Sequence, residues 1–211
     1  MSPADSRVPD PSPDPASSGR PAAEALAPTL VIHAHPHPGR SVVTRDLLHP
    51  LQSSSGVQTR SLYDLYPDFD IDVSQEQQAL QRASLVVWLA PVHWYGLPAL
   101  LKHWIDQVLL HGWAYGPGGT ALQGKTAWWV CSAGAPASAY GPGGVHMRPF
   151  SDFVPPIEQT ARYCGMQWLP PFVVFGGHST PAERRAEQAG ELAREFARHR
   201  QALASAAGAG A

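Results

Sequence analysis

The chain has 211 residues, 44% of them hydrophobic and 15% charged, which is enough for one domain with a full core. Lys and Arg number 15 against 17 Asp and Glu, a formal charge of −2, so no general basic surface invites nucleic acid or an anionic membrane. Its two cysteines, Cys131 and Cys164, have apolar neighbours and no metal-type spacing, which excludes a disulfide scaffold and fits a reducing, cytoplasmic setting.

Residues 1–28 are rich in Pro, Ser, Asp and Ala without the apolar run of a signal peptide or membrane span, and are expected to form a disordered tail. A strand is predicted over 29–33, followed by a helix over 41–51 capped by Ser41. The second strand is 57–62. The next helix, 74–82, has Ser74 as its cap and Gln77 at the capping-box position. Residues 84–89 form a continuous apolar run, the mark of a strand covered on both faces. The clearest helix follows. Pro98 suits its first position, and Leu100, Leu101, Trp104, Ile105, Val108 and Leu109 recur at three- and four-residue spacing. A fourth strand is predicted over 126–131. The helix at 151–164 is limited at its start by Pro155 and Pro156 and closed by Gly165. Val173 and Val174 lie in a fifth strand, and a last helix covers 182–203, leaving the Ala/Gly-rich 204–211 as a flexible end.

Strict alternation of strand and helix implies an α/β fold with parallel strands and right-handed crossovers. Five strands point to a flavodoxin-like, three-layer arrangement over 29–203, with sheet order 2-1-3-4-5 and helices on both faces. Ligands of such sheets bind at the carboxyl ends of the strands, where the order reverses between the first and third.

Three loops converge on that point. In the first, 33–41, His35 with Ser41 and Thr44 at the following helix start can offer donors to a phosphate. The alternate spacing of His33, His35 and His37 also suits a metal-dependent hydrolase, although Pro36 and Pro38 constrain the ligand geometry. The second loop, 91–97, presents Trp94 and Tyr95, whose flat faces and backbone donors suit a planar, electron-rich ring such as a flavin. As an isolated pair they are ordinary packing aromatics. The third loop opens with Ser132, Ala133, Gly134 and Ala135, small residues whose N–H groups can approach a ring edge and stabilise negative charge.

From residue 30 to about 176 the chain resembles the flavin-dependent NAD(P)H:quinone oxidoreductases. Within them it resembles the ancillary oxidoreductase subunits of bacterial glutathione-gated potassium-efflux systems. The motifs that carry this are His35-Pro36, the run from Arg60 to Phe69 (RSLYDLYPDF), Pro91 to Tyr95 (PVHWY) with Pro98 to Lys102 (PALLK), His111 to Gly116 (HGWAYG), and Tyr163 to Gly165 (YCG) with Trp168 to Pro171 (WLPP).

The resemblance implies FMN or FAD as cofactor, and the one evident phosphate site of the three loops, without a clear adenine pocket, favours FMN. His35, Ser41, Val42, Val43 and Thr44 would lie at its phosphate, and Val92, His93, Trp94 and Tyr95 along its ring. Ser132, Ala133, Gly134 and Ala135 would lie at the pyrimidine edge, where the family commonly has two Thr followed by two Gly. Tyr140 and His146 match a Tyr–His pair that assists catalysis, and Tyr115 matches an aromatic that closes the partner subunit's pocket in a homodimer. The implied reaction is two-electron, ping-pong hydride transfer from NADH or NADPH to a quinone. A second role beside a potassium-efflux membrane protein would place the chain at the inner face of the cell membrane.

Overall fold

A computed structural model describes residues 26–177 and 179–209. Strands β1 (Thr29–His33), β2 (Val57–Ser61), β3 (Leu85–Pro91), β4 (Thr126–Ser132) and β5 (Gln167–Val174) pair in parallel in the order β2-β1-β3-β4-β5. This is the flavodoxin-like sheet expected from the alternation.

Successive side chains of a strand point to opposite faces, and the core divides accordingly. Leu30, Ile32, Val86, Trp88, Ala127 and Trp129 pack with α3 (Val73–Arg82), α4 (Ala99–Val108) and α5 (Pro155–Tyr163), on the face that also takes Leu62 of the single-turn α2 (Leu62–Leu65). Val31, Leu85, Val87, Trp128 and Val130 pack with α1 (Val43–Gln52) and α6 (Ala182–Ala209) on the other. Burial on both faces explains why β3 reads as an unbroken apolar run.

Local chemistry moved several boundaries. The α1 helix begins at Val43, with Val42 rather than Ser41 at the cap position and no side-chain cap. Asp72 caps α3, accepting from Gln75 N at 3.0 Å, and Ser74 Oγ donates to the same carboxylate. Gln77 closes no capping box; its Nε2 donates to Val108 O at the end of α4, 2.9 Å away. The predicted helix over 151–164 is split into a 3-10 turn, Phe150–Phe153, and α5, because Pro155 and Pro156 restart the helix. The β5 strand is longer than Val173 and Val174 alone suggested. Its pairing to β4 shifts register between Trp128 and Val130, a bulge where Pro170 and Pro171 fall, and β5 is the edge strand, where missing N–H groups are tolerated.

Helix α6 runs to Ala209, so 204–209 are helical rather than a flexible end, the alanines there being strong helix formers. The expected N-terminal tail lies outside the described residues except for 26–28. There Ala27 is buried, and its carbonyl accepts from Thr29 Oγ1 and from the buried Arg200 Nε, each at 3.0 Å.

One buried carboxylate ties four elements together. Glu76 of α3, fully buried, accepts from Arg60 Nε of β2 at 2.8 Å, from the Tyr66 hydroxyl just after α2 at 2.6 Å, and from Trp104 Nε1 of α4 at 3.0 Å. Burial and the neighbouring carboxylate push the Tyr66 hydroxyl pKa up to about 12, keeping it a donor.

Candidate active site

The carboxyl ends of β1, β3 and β4 open onto a cleft of about 500 Å³. At one end the chain leaves β1 through a 3-10 turn, Pro38–Arg40, and enters α1 with no side-chain cap. The first-turn N–H groups of such a helix have no partner within it, and Val42, Val43 and Thr44 line the cleft beside His35, His37 and Arg40. Ser41 at this turn is 3% exposed, and its Oγ has no hydrogen-bond partner among the described residues. An orphaned buried hydroxyl is costly unless a ligand engages it. These groups together fit a phosphate.

At the other end, Val92 and His93 line the cleft with Ser132 and Gly134. His93 and Gly96 exchange two backbone hydrogen bonds of 3.0 Å, closing a tight turn whose central residues, Trp94 and Tyr95, have φ of 45° and 65°. Two positive φ values in succession define a turn that normally takes Asn-Gly. Bulky residues there carry strain of order 1–3 kcal/mol each, of the kind kept at functional sites. The turn holds Trp94 94% exposed.

The loop after β4 is pinned on one side and open on the other. Ala133 N donates to Val174 O at 2.8 Å, so the Ala133 N–H expected at the ring edge is engaged by β5. The N–H groups of Gly134 and Ala135 meet no backbone carbonyl among the described residues. Both residues line an adjoining cleft of about 230 Å³ with Val92, Trp94, Tyr95, Tyr140 and His146. The Tyr140 ring stacks on His146 with centroids 4.4 Å apart, and His146 Nδ1 lies 3.3 Å from the Tyr95 hydroxyl. His146 Nε2 is buried with no partner among the described residues. Burial, reinforced by Tyr95 and Cys131 nearby, pushes the Tyr140 hydroxyl above its ordinary pKa, so it is a proton-bearing donor at neutral pH. The loop that presents the pair is compact: a Cβ on Gly144 would sit 2.2 Å from Ala139 O, and His146 N bonds that same carbonyl at 3.0 Å.

Two predicted residues are placed elsewhere. His33 does not join His35 and His37 at the cleft. It is buried at the end of β1, with Nδ1 3.2 Å from Ser61 Oγ of the neighbouring strand, whereas His35 and His37 lie past the strand end and line the cleft. Tyr115 packs against Tyr163 and His111, with ring centroids 5.2 and 5.6 Å apart, and lines a separate cleft with Lys102 and Ile105 of α4. The residues that sequence reasoning missed are Arg40, His37 as a cleft residue, Pro91, Gly177 and Arg185. Arg40 was legible from its loop. Arg185 carried no signal, since it lies in a surface-type helix remote in sequence.

Burial of His33, with the charge of His35 adding to it against a smaller opposing effect of Asp64, lowers its pKa to about 4. The folded state therefore binds this proton less well than the unfolded chain, whose His titrates near 6.5. The stability held by neutral His33 is complete above pH ~6.5 and falls by about 1.4 kcal/mol per pH unit down to the folded pKa. Urea midpoints at pH 7 and pH 5 should show wild type losing about 2 kcal/mol more than His33→Phe; equal pH dependence in the two proteins would contradict the assignment.

The chain belongs to the family described as Flavodoxin-like fold, which matches residues 27–198. Within that class, its sequence is 48% identical over 145 residues to the glutathione-regulated potassium-efflux system ancillary protein KefF of Citrobacter koseri, covering 69% of this chain and 81% of that protein. Three of the similar solved structures each cover most of this chain. A protein described as a thermophilic tryptophan halogenase from Streptomycin violaceusniger has a TM-score of 0.74 at 40% identity, over 77% of this chain and 95% of that one. General stress protein 14 of Treponema denticola, in complex with FMN, has a TM-score of 0.73 at 35% identity, over 83% and 98%. An NADPH-quinone reductase of P. pentosaceus has a TM-score of 0.72 at 28% identity, over 80% and 96%.

Proposed function

We propose that this chain is a flavin-dependent NAD(P)H:quinone oxidoreductase that holds FMN in preference to FAD. The observation that carries the reading is the junction of the two clefts at Val92 and Gly134, which sets an uncapped, cation-flanked helix start at one end and a strained aromatic turn at the other. His35, Ser41 and the first turn of α1 hold the phosphate. Residues from Val92 to Tyr95 support the ring, and the N–H groups of Gly134 and Ala135 face its pyrimidine edge. When bound, FMN supplies the acceptance and release of two reducing equivalents. Tyr140 and His146 donate hydrogen bonds to charge that develops on cofactor and substrate. The small cleft between Trp94 and His146 takes nicotinamide and quinone in turn.

The FMN complex of the Treponema protein and the quinone reductase from P. pentosaceus support this assignment. The identity to KefF supports a second role for the same chain, as an ancillary subunit working at the inner face of the membrane beside a potassium-efflux protein. Among the described residues no helix is long and apolar enough to cross a membrane, so that location would come through the partner. A homodimer joined along α4 and α5 would bring Tyr115, beside the exposed Tyr163 and Leu110, toward the other subunit's pocket. The hydrolase reading is not retained, because His33 is buried against Ser61 and does not line the cleft with His35 and His37, and no group of three or more His, Cys, Asp or Glu among the described residues is placed to hold a metal ion.

Initial rates with NAD(P)H and a benzoquinone, varied together, test the reaction. One shared pocket gives parallel double-reciprocal lines. Intersecting lines, which require both substrates bound at once, would overturn the shared pocket.

A further inference from the structure

Arg185 reaches the phosphate end of the main cleft from the start of α6. Its Nε donates to Asp46 Oδ2 and its Nη1 to Thr180 O, both at 2.8 Å; Nη2 makes no bond among the described residues. Residues just before α6 are pinned. Thr180 Oγ1 and N both bond Gly176 O, at 2.8 and 3.0 Å, and Gly177 N bonds Ala133 O at 3.0 Å. A Cβ on Gly177 would lie 3.4 Å from Ala133 O and 3.7 Å from Val43 Cγ2, so Gly177 sits close against the first residue of α1.

Asp46 makes a partner necessary. It stands in the first turn of α1, where its carboxylate would repel the dianion that the helix start attracts. The Arg185 guanidinium offsets that charge and, fixed at two of its nitrogens, faces the cleft with little entropy left to lose.

We infer that Arg185 is a specificity-determining residue of the cofactor site, selecting flavins that carry a phosphate ester over riboflavin. The inference rests on the flavin assignment above. Full-length wild type and Arg185→Gln, reversibly stripped of flavin, can be titrated with FMN and with riboflavin by fluorescence quenching. The substitution should weaken FMN binding roughly tenfold, as expected for one charge-assisted hydrogen bond at a partly exposed site, and flatten its dependence on salt, while riboflavin affinity stays the same. Equal weakening for both flavins would reduce Arg185 to a structural tie between α1 and α6 and overturn the inference. So would unchanged FMN binding. Wild type that takes up neither flavin would instead overturn the flavin assignment itself.

Discussion

Tyr140→Phe and His146→Gln should each retain flavin yet slow its reduction by NAD(P)H by ~10²–10⁴-fold, the usual worth of acid–base assistance. Two observations set this expectation. Both side chains line the cleft formed by the Trp94–Tyr95 turn and the Gly134 loop, and the Tyr140 hydroxyl is held protonated above its ordinary range. Neither residue lines the larger cleft that would hold the phosphate, so flavin content should survive. The rings stack at 4.4 Å, and groups in contact act as a unit. The double variant should therefore lose no more than the product of the single losses. Stopped-flow bleaching of the flavin band at saturating nicotinamide separates this step from binding. Wild-type rates in both single variants, with flavin fully loaded, would leave the N–H groups of Gly134 and Ala135 as the charge stabilisers.

Glu76→Ala should lower folding stability by about 3–5 kcal/mol, because removing one member of a buried ion pair leaves the other charge uncompensated. Arg60 is the charge left behind, with an 11% exposed side chain, and Tyr66 and Trp104 lose their acceptor at the same time. Glu76→Gln keeps an acceptor oxygen and should cost less. Urea unfolding measures both. A loss below ~1 kcal/mol for the alanine variant would show that water or a neighbouring acceptor replaces the carboxylate. Glu76 lines neither of the adjoining clefts, so turnover per folded molecule should be unchanged in the glutamine variant.

This network also explains how far the sequence could be read. The run from Arg60 to Phe69 was recognisable as a family motif, but its physical reason, a shared carboxylate on α3, was hidden because Glu76 sits among polar residues and reads as an exposed helix position. Periodicity placed β3 and α4 well, since burial on both faces of one and on a stripe of the other leaves a direct hydropathy pattern. Caps were less legible. Ser41 and Ser74 are good cap residues, yet Asp72 reached Gln75 N first and Ser41 became buried one residue before the cap position instead. The converging loops at 33–41, 91–97 and 132–150 followed from strand order alone. Their interior was only partly visible: nothing in a Trp-Tyr pair announces positive φ at both residues, and no local signal links Arg185 to a loop more than a hundred residues earlier.

The most direct test of the account is anaerobic, single-turnover mixing of the purified full-length protein. Its visible spectrum should show a flavin band that NADH or NADPH bleaches and a benzoquinone then restores, and denaturation should release FMN. A colourless protein that neither flavin reconstitutes, or a flavin band that nicotinamide leaves unbleached, would contradict the assignment.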